Sequence, residues 1–212
     1  MITNIFNKVL VIGAHTDDGE IGAGATISRF CREGKEVHYA AFSICEESIP
    51  KEFPNDITSK EIIKAGSKLG IPQKNIQTLR YKVRKFSENR QDILEDMVKL
   101  NNIHQPDLVL LHNSFDIHQD HKTIYEEGLR AFKKTSILGY ELPWNNLDIS
   151  NRCFIEIQEQ DLKNKVDSIL EYKSQSFRNY VNEEYIRSLM IIRGKQINFN
   201  LAESFEVIRL IF

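Results

Sequence analysis

The chain has 212 residues, of which 41% are hydrophobic and 27% charged, and this is enough for one globular domain with a substantial core, spanning residues 1–212. Its formal net charge of −2 excludes a general affinity for nucleic acid or for an anionic membrane surface. No apolar run approaches the roughly 20 residues that a transmembrane helix needs, so we expect no membrane span.

The first two thirds of the chain predict strands that alternate with helices, because short apolar runs alternate with apolar residues at helical spacing. In chain order, these predicted elements cover residues 8–12 (strand), 21–30 (helix), 36–42 (strand), 58–70 (helix), 75–79 (strand), 90–103 (helix) and 108–111 (strand). Residues 43–57 contain two prolines and predict a loop. Thr58 and Glu61 have the spacing of a capping box at the start of the helix that follows.

The last third is less regular. It predicts strands at residues 136–141, 152–157 and 205–211, and an amphipathic helix at residues 161–172. Repeated strand–helix–strand connections imply right-handed crossovers and a parallel sheet. The sequence therefore predicts an α/β fold of the Rossmann-like, three-layer kind, with a mainly parallel sheet and helices on both of its faces.

Two polar clusters each follow a predicted strand and lead into a helical pattern. The first, AHTDDGE, covers residues 14–20, and the second, DIHQDH, covers residues 116–121. The carboxyl ends of parallel strands lie along one edge of a sheet, which is where open α/β folds bind their ligands. We therefore expect the two clusters to meet at that edge.

The residue types in these clusters indicate a metal site. Asp17 and Asp18 are adjacent carboxylates beside His15, and in a buried setting their repulsion requires a nearby cation or a proton on one of them. Imidazoles and carboxylates without thiolates are typical of a catalytic zinc with three protein ligands and an open position. Three of the six histidines of the chain lie within ten residues of one another, namely His112, His118 and His121.

Each cluster also has a simpler interpretation. Asp17 or Asp18 caps the following helix while His15 forms a hydrogen bond within the turn. The second cluster is then a polar loop with a helix N-cap at Asp120. The joint occurrence of the two clusters after two strands favours the metal site over these alternatives.

These motifs carry a resemblance to a known family. Residues 14–22, AHTDDGEIG, resemble the AHPDD motif of the LmbE/PIG-L family of zinc-dependent N-acetylglucosaminyl deacetylases, and residues 116–121 resemble that family's HxDH motif. Weaker family-like segments occur at residues 106–107, 172–175 and 202–205, so the resemblance spans nearly the whole chain. Thr16 stands where the family most often has proline, and this departure alters the turn rather than the chemistry.

The resemblance implies a role for each residue of the two motifs. It implies Zn²⁺ bound by His15, Asp18 and His121. Fe²⁺ is the alternative, because two histidines and one carboxylate with open positions also match the ligands of non-haem iron. The catalytic residues that it implies are Asp17 as general base, His118 as the acid that stabilises the oxyanion and protonates the leaving amine, and Asp120 as a carboxylate that holds His118. Asp116 is the alternative partner of His118, and the division of Asp116 and Asp120 between ligand and supporting roles stays open.

Five residues are candidates for contacts with the substrate, namely Glu20, Arg84, Arg90, Asp116 and Trp144. The basic stretch at residues 80–90 is either a solvated loop or a contact for an anionic group such as a nucleotide diphosphate. Trp144 either stacks on a sugar ring or belongs to the core.

The predicted function is metal-dependent hydrolysis that removes an N-acyl group, N-acetyl in the first instance, from an amino sugar or from a nucleotide- or lipid-linked sugar. Two alternatives stay open, a metal-dependent phosphoesterase and a non-catalytic sugar-binding protein. A homo-oligomer is compatible with the sequence. Cys31, Cys45 and Cys153 show no zinc or redox spacing, and no signal-peptide pattern precedes the first strand, so a cytoplasmic protein with reduced thiols is expected.

Overall fold

The structure is a computed structural model that describes residues 5–148 and 150–212. Within these ranges, seven strands form one sheet. The strands are β1 (Lys8–Gly13), β2 (Glu36–Ala41), β3 (Ile76–Thr78), β4 (Leu108–His112), β5 (Ser136–Tyr140), β6 (Asn151–Glu156) and β7 (Ala202–Arg209). The α-helices of the described chain are α1 (Asp18–Arg32), α2 (Ile57–Leu69), α3 (Arg90–His104), α4 (Gln119–Ala131), α5 (Glu159–Ile169) and α6 (Glu183–Gln196).

The strand order across the sheet is β3-β2-β1-β4-β5-β7-β6. The first five strands are parallel, and β7 runs antiparallel to both β5 and β6. The central pair, β1 and β4, aligns Val9 with Leu108 and Val11 with Leu110. Both strands therefore end at the same edge of the sheet, which brings the two polar clusters together.

Helices cover both faces of the sheet, and the sequence of β1 shows why. Val9 and Val11 pack into one apolar cluster with residues of α1, α2 and α5, whereas Leu10 and Ile12 pack into another with residues of α3 and α4. A strand buried on both faces reads as a continuous apolar run, as this one does. The predicted α/β fold with a mainly parallel sheet is confirmed.

The predicted capping box at the start of α2 is wrong. The helix already begins at Ile57, so Thr58 lies within its first turn and donates its hydroxyl to the carbonyl of Ile44. Glu61 accepts hydrogen bonds from the backbone N–H of Ser174 at 2.9 Å and from its hydroxyl at 2.6 Å. Both side chains make long-range contacts that the local spacing does not reveal.

Two helix boundaries differ from the prediction, and one helix was missed. Helix α1 begins at Asp18 rather than at residue 21, so the first polar cluster runs into its amino terminus. Helix α5 ends at Ile169, and a short 3₁₀ turn at Lys173–Gln175 follows it. Helix α6 was not predicted, because its buried face includes Arg193 beside Ile186 and Met190. Among the helices of the described residues, none is both long and apolar enough to cross a membrane.

Candidate metal centre

The predicted metal ligands come from three short segments at the carboxyl edge of the sheet. His15 lies in the turn after β1, Asp18 is the first residue of α1, and His121 lies in the first turn of α4. All three are buried. The turn needs Gly13, because a Cβ at that position would stand 2.7 Å from the carbonyl oxygen of His15.

Three atoms of these side chains converge on one point. The distance from His15 Nδ1 to His121 Nε2 is 3.1 Å, and Asp18 Oδ2 lies 3.4 Å from His15 Nδ1 and 3.6 Å from His121 Nε2. Two ligands at about 2.1 Å from a tetrahedral ion lie about 3.4 Å apart. The three atoms are therefore spaced as the ligands of a single ion.

Two further carboxylates fix the direction of the imidazole rings. Asp120 Oδ2 lies 3.2 Å from His15 Nε2, and Asp116 Oδ2 lies 2.8 Å from His121 Nδ1. A carboxylate that accepts the outer N–H of an imidazole leaves a lone pair on the inner nitrogen. With both rings neutral, these two nitrogens and Asp18 Oδ2, which also accepts the backbone N–H of His15 at 2.7 Å, form a set of three acceptors suited to a cation. The donor set fits a divalent metal ion.

The predicted contact between these carboxylates and the ring of His118 is not observed. The side chain of Asp120 instead binds His15 and accepts the backbone N–H of Arg84 at 2.6 Å. The ring of His118 accepts the backbone N–H of Asp120 at Nδ1, over 3.2 Å. Because both carboxylates serve the other two histidines, His118 is oriented by a backbone group.

A fourth histidine, His112 at the end of β4, was not assigned a role from the sequence. Its Nε2 lies 3.2 Å from Asp18 Oδ2, and its ring stacks on that of His121 with the centroids 3.9 Å apart. The same Nε2 also receives the backbone N–H of Ala14 at 3.1 Å and lies 3.2 Å from the hydroxyl of Tyr140. Because the lone pair of Nε2 accepts the Ala14 N–H, it is not free for a metal ion, and His112 is a packing neighbour of Asp18 and His121 rather than a ligand. Its position at the carboxyl end of a predicted strand is the sequence feature that could have indicated its place in the site.

Burial and charge set the protonation of the cluster. Burial and the neighbouring His112 lower the pKa of His121 to about 4, which keeps its imidazole neutral as a metal ligand requires. Burial alone would raise the pKa of Asp18, but His121, His112 and His15 hold it well below its usual range. His121 is therefore a neutral imidazole beside an ionised Asp18. Burial alone would lower the pKa of His15, but Cys45, Asp18 and Asp120 raise it well above its usual value, so His15 must give up a proton when it binds a metal ion.

Asp17 and His118 lie beside the three converging atoms and line the same cavity. Burial and the adjacent Asp18 raise the pKa of Asp17 to about 6. Burial and the nearby His15 lower the pKa of His118. The ring of His118 lies 5.1 Å from that of His15 and 4.3 Å from that of His121, measured between centroids. The structure thus brings together all the residues expected to act at the metal centre.

The cavity in front of this centre has a volume of about 280 Å³. Of the five predicted substrate contacts, Arg84 and Trp144 line the cavity. Asp116 lies behind His121, as its support. The indole of Trp144 stacks on the ring of Tyr180 at 3.8 Å and 7°. Two of the predicted contacts are thus at the cavity, and one supports the metal centre.

The other two predicted contacts, Glu20 and Arg90, lie outside the cavity lining. Glu20 is fully buried, and its carboxylate lies 2.8 Å from the hydroxyls of both Tyr39 and Tyr172. Burial raises its pKa to about 8. The guanidinium of Arg90 pairs instead with Glu127. Glu20 is therefore part of the support beneath the turn, and Arg90 is part of the α3–α4 contact.

Sequence reasoning missed several residues of the cavity wall, among them Cys45, Gln175, Arg178 and Tyr180. Cys45 lies in the predicted loop and has a left-handed backbone, with φ at 56°. Burial raises the pKa of its thiol to about 11, so the thiol stays protonated and lines the cavity without acting as a nucleophile. Arg178 and Tyr180 lie in the irregular segment after α5, where no periodic pattern indicates which side chains face inwards.

The chain is similar in sequence to proteins of a known family. The family described as PIG-L: GlcNAc-PI de-N-acetylase matches residues 10–132, more than half of the chain. The matched segment contains both polar clusters. A protein of Escherichia coli (strain K12) described as the uncharacterised deacetylase YaiS is 25% identical over 177 residues, which cover 78% of this chain and 90% of that protein.

The fold is shared with solved structures. N,N'-diacetylchitobiose deacetylase from Pyrococcus horikoshii superposes with a TM-score of 0.77 at 19% identity, over 97% of this chain and 85% of that chain. GalB, the 4-carboxy-2-hydroxymuconate hydratase from Pseudomonas putida KT2440, superposes with a TM-score of 0.74 at 17% identity, over 97% and 98%. At these identities the similarity shows the fold. Because one fold carries both activities, the activity of this chain has to be argued from its own site.

Proposed function

The chain belongs to the GlcNAc-PI de-N-acetylase (PIG-L) family, and on that premise we propose that it is a metal-dependent hydrolase that removes an N-acyl group, N-acetyl in the first instance, from an amino sugar or a sugar conjugate. One observation carries the proposal. His15, Asp18 and His121 place three acceptor atoms within 3.1 to 3.6 Å of one another, next to Asp17 and His118 in one cavity.

His15, Asp18 and His121 would hold the metal ion. When bound, a divalent cation such as Zn²⁺ or Fe²⁺ supplies a Lewis acid that lowers the pKa of water and polarises a carbonyl group. Two histidines and one carboxylate suit either metal, because this set also matches the ligands of non-haem iron. Turnover after reloading with each metal distinguishes Zn²⁺ from Fe²⁺.

Asp17 is the group available to take a proton from the attacking water. It lines the cavity beside Asp18 but contributes no atom to the converging three. A carboxylate in that position can accept the proton while the water oxygen attacks the amide carbon. The C–N bond of the amide then breaks, which leaves a carboxylate product and a free amine on the sugar.

His118 is the group available to stabilise the negative charge that develops on the carbonyl oxygen. Its Nδ1 accepts the backbone N–H of Asp120, so in the neutral ring the proton resides on Nε2. An N–H donor of this kind stabilises the oxyanion that forms at the carbonyl oxygen. The leaving nitrogen can instead take the proton that Asp17 has removed from the water, because a neutral imidazole that gave up its only N–H would become an imidazolate.

The two alternatives fit the geometry less well. A two-metal phosphoesterase needs a second set of ligands. The candidate carboxylates for that set are already paired, Asp116 with His121 and Asp120 with His15. A protein that only binds sugars needs neither Asp17 nor the oriented ring of His118. The arrangement therefore favours single-metal hydrolysis of an amide.

The test is acetate release from a panel of N-acetyl amino sugars by enzyme that has been stripped of metal and reloaded with Zn²⁺ or Fe²⁺. We expect turnover only in the reloaded enzyme. Asp17→Asn should reduce kcat by about 10²- to 10⁴-fold while one metal ion per chain is retained. Asp92→Asn, an exposed aspartate on α3, is the matched control and should leave kcat unchanged. Equal turnover in the stripped enzyme or in Asp17→Asn would overturn the proposal.

A further inference from the structure

Two arginines at the cavity differ from most others in the chain. Arg84 and Arg178 line the cavity in front of the metal centre. Within residues 5–148 and 150–212, neither guanidinium has a carboxylate within salt-bridge distance. The arginines that do have one are Arg29, Arg32, Arg80, Arg90, Arg130, Arg187 and Arg193. Two cations without anionic partners thus stand at the one cavity that contains the predicted active residues.

The backbone holds Arg84 in place at some conformational cost. Its φ is +67°, in the left-handed region that favours glycine. Its N–H donates to Asp120 Oδ2 at 2.6 Å, so the residue is tied to the support of His15. A glycine would make the same backbone contact with less strain. Cys45, Gln105 and Asn198 share this conformation, so the backbone explains where Arg84 lies and the cavity has to explain its side chain.

Arg178 is oriented by a neutral partner. Its Nε donates to Gln175 Oε1 at 2.7 Å, and Gln175 is a buried residue of the same cavity wall. Within the described residues, the two terminal nitrogens have no carboxylate partner, and Tyr180 is the polar side chain close to them. The guanidinium carbon lies 5.8 Å from the ring centre of Tyr180, which stacks on Trp144. Arg178 therefore stands beside the aromatic pair at the cavity.

Arg178 lies near enough to Asp17 to oppose the rise in the pKa of that carboxyl, but neither arginine forms a salt bridge with a carboxylate of the cavity wall within the described residues. The lining contains Asp17 and Asp18, and both belong to the metal centre. A planar guanidinium with free donors binds an oxyanion through paired hydrogen bonds, and it binds more strongly where water is partly excluded. A substrate that brings its own negative charge would supply the missing partner.

We propose that Arg84 and Arg178 form a subsite for an oxyanionic substituent, a phosphate or a carboxylate, on the amino-sugar substrate. This inference rests on the proposed function for the reaction at the metal centre. Binding of the anionic group, however, can be measured without turnover.

The protein contains a built-in reporter for that measurement. Trp144 is the only tryptophan in the chain, and it lines the same cavity. Its fluorescence can be titrated with N-acetylglucosamine, with its 1-phosphate and 6-phosphate, with N-acetylmuramic acid and with inorganic phosphate, in stripped and in metal-loaded protein. We expect at least one anionic sugar to bind at least tenfold more tightly than N-acetylglucosamine in both preparations.

Three variants assign the preference to residues. Arg84→Gln and Arg178→Gln should each weaken binding of the anionic sugar about tenfold more than binding of the neutral sugar, and Arg84→Lys should restore part of the loss. Arg152→Gln is the control, because Arg152 is an exposed arginine of β6 outside the cavity lining. It should leave both affinities unchanged. Thermal unfolding of each variant verifies that the fold is retained.

The outcomes separate this inference from the proposed function. A preference for anionic sugars without acetate release from any of them would remove the hydrolase and leave the subsite standing. Acetate release at equal kcat/KM from neutral and anionic sugars would keep the hydrolase and overturn the subsite. Equal losses for both sugars in Arg178→Gln would show that this arginine serves Asp17 instead. Inorganic phosphate binding as tightly as the sugar phosphate would overturn the assignment to a sugar substituent.

Discussion

The two polar clusters at the carboxyl edge of the sheet are supported in different ways. In the second cluster, the support is local, because Asp116 binds His121 only five residues further along the chain. In the first cluster, the support comes from distant segments. Tyr39 of β2 and Tyr172 after α5 both contact Glu20, and both hydroxyls lie next to the carbonyl of Thr16. The second cluster is thus supported by a residue close to it in the sequence, and the first by residues that only folding brings to it.

This difference separates two kinds of mutational effect. A support that contacts an imidazole directly acts on the affinity for metal, because it sets the tautomer and the direction of the ring. A support that contacts the backbone of the turn acts first on the stability of the fold, because its groups are buried and hydrogen-bonded. The comparison is therefore tested by asking which substitutions change metal binding and which change stability alone.

The largest effect is expected for the ligands themselves, and His15 and His112 are the informative pair. His15→Ala removes one of the three converging atoms, so bound metal should fall from one ion per chain to a small fraction, with turnover lost. His112→Ala leaves those three atoms in place and should retain the ion. Metal content after dialysis measures both. Retention in His15→Ala with loss in His112→Ala would assign the site to Asp18, His112 and His121, which are also close enough to share an ion.

A smaller effect is expected for the two carboxylates behind the imidazoles. Asp116→Asn and Asp120→Asn should each weaken metal affinity by about 10- to 100-fold, because an amide accepts the imidazole N–H less strongly. The loss should be greater for Asp116, whose contact is 2.8 Å, than for Asp120, whose contact is 3.2 Å and whose oxygen is shared with the Arg84 N–H. Competition with a chelator measures both affinities. Unchanged affinity in both variants would contradict the supporting role given to these residues.

The sequence predicted the parts of the molecule that follow from local pattern. Strands β1 and β4 are apolar runs buried on both faces, and their pairing places His15 and His121 at one edge. The membership of the PIG-L family followed from residues 14–22 and 116–121, and it is confirmed. Short-range order of this kind is visible in one sequence because each residue's role depends on its near neighbours.

The parts that were missed depend on contacts between distant segments. Glu20 resembled a substrate contact by position in its motif, yet two tyrosines from elsewhere in the chain enclose it. Arg178 lies in an irregular segment that reaches the cavity only through the packing of the chain. Helix α6 was not predicted, because a buried charge, Arg193, interrupts its apolar pattern. This arginine pairs with Glu141 at 2.7 Å. None of these partners is encoded near the residue concerned.

The smallest effect is expected for the support beneath the first cluster. Tyr172→Phe removes a hydroxyl that contacts Glu20 at 2.8 Å and the carbonyl of Thr16, and it leaves the hydroxyl of Tyr39 as the remaining side-chain partner of these two buried groups. We expect a loss of about 1 to 3 kcal/mol in the free energy of unfolding, and one metal ion per chain should still bind. Urea unfolding and metal analysis of the same sample measure the two quantities.

Tyr81→Phe is the matched control for this last prediction. It removes a hydroxyl that donates to Asp96 at 2.7 Å, but the pair is only partly buried, so water can replace the lost contact. Its cost should be smaller than that of Tyr172→Phe. If Tyr172→Phe instead lost its metal ion without loss of stability, the first cluster would be supported as directly as the second. The distinction between the two kinds of support would then fail, because a contact with the turn backbone would affect metal affinity as strongly as a contact with an imidazole does.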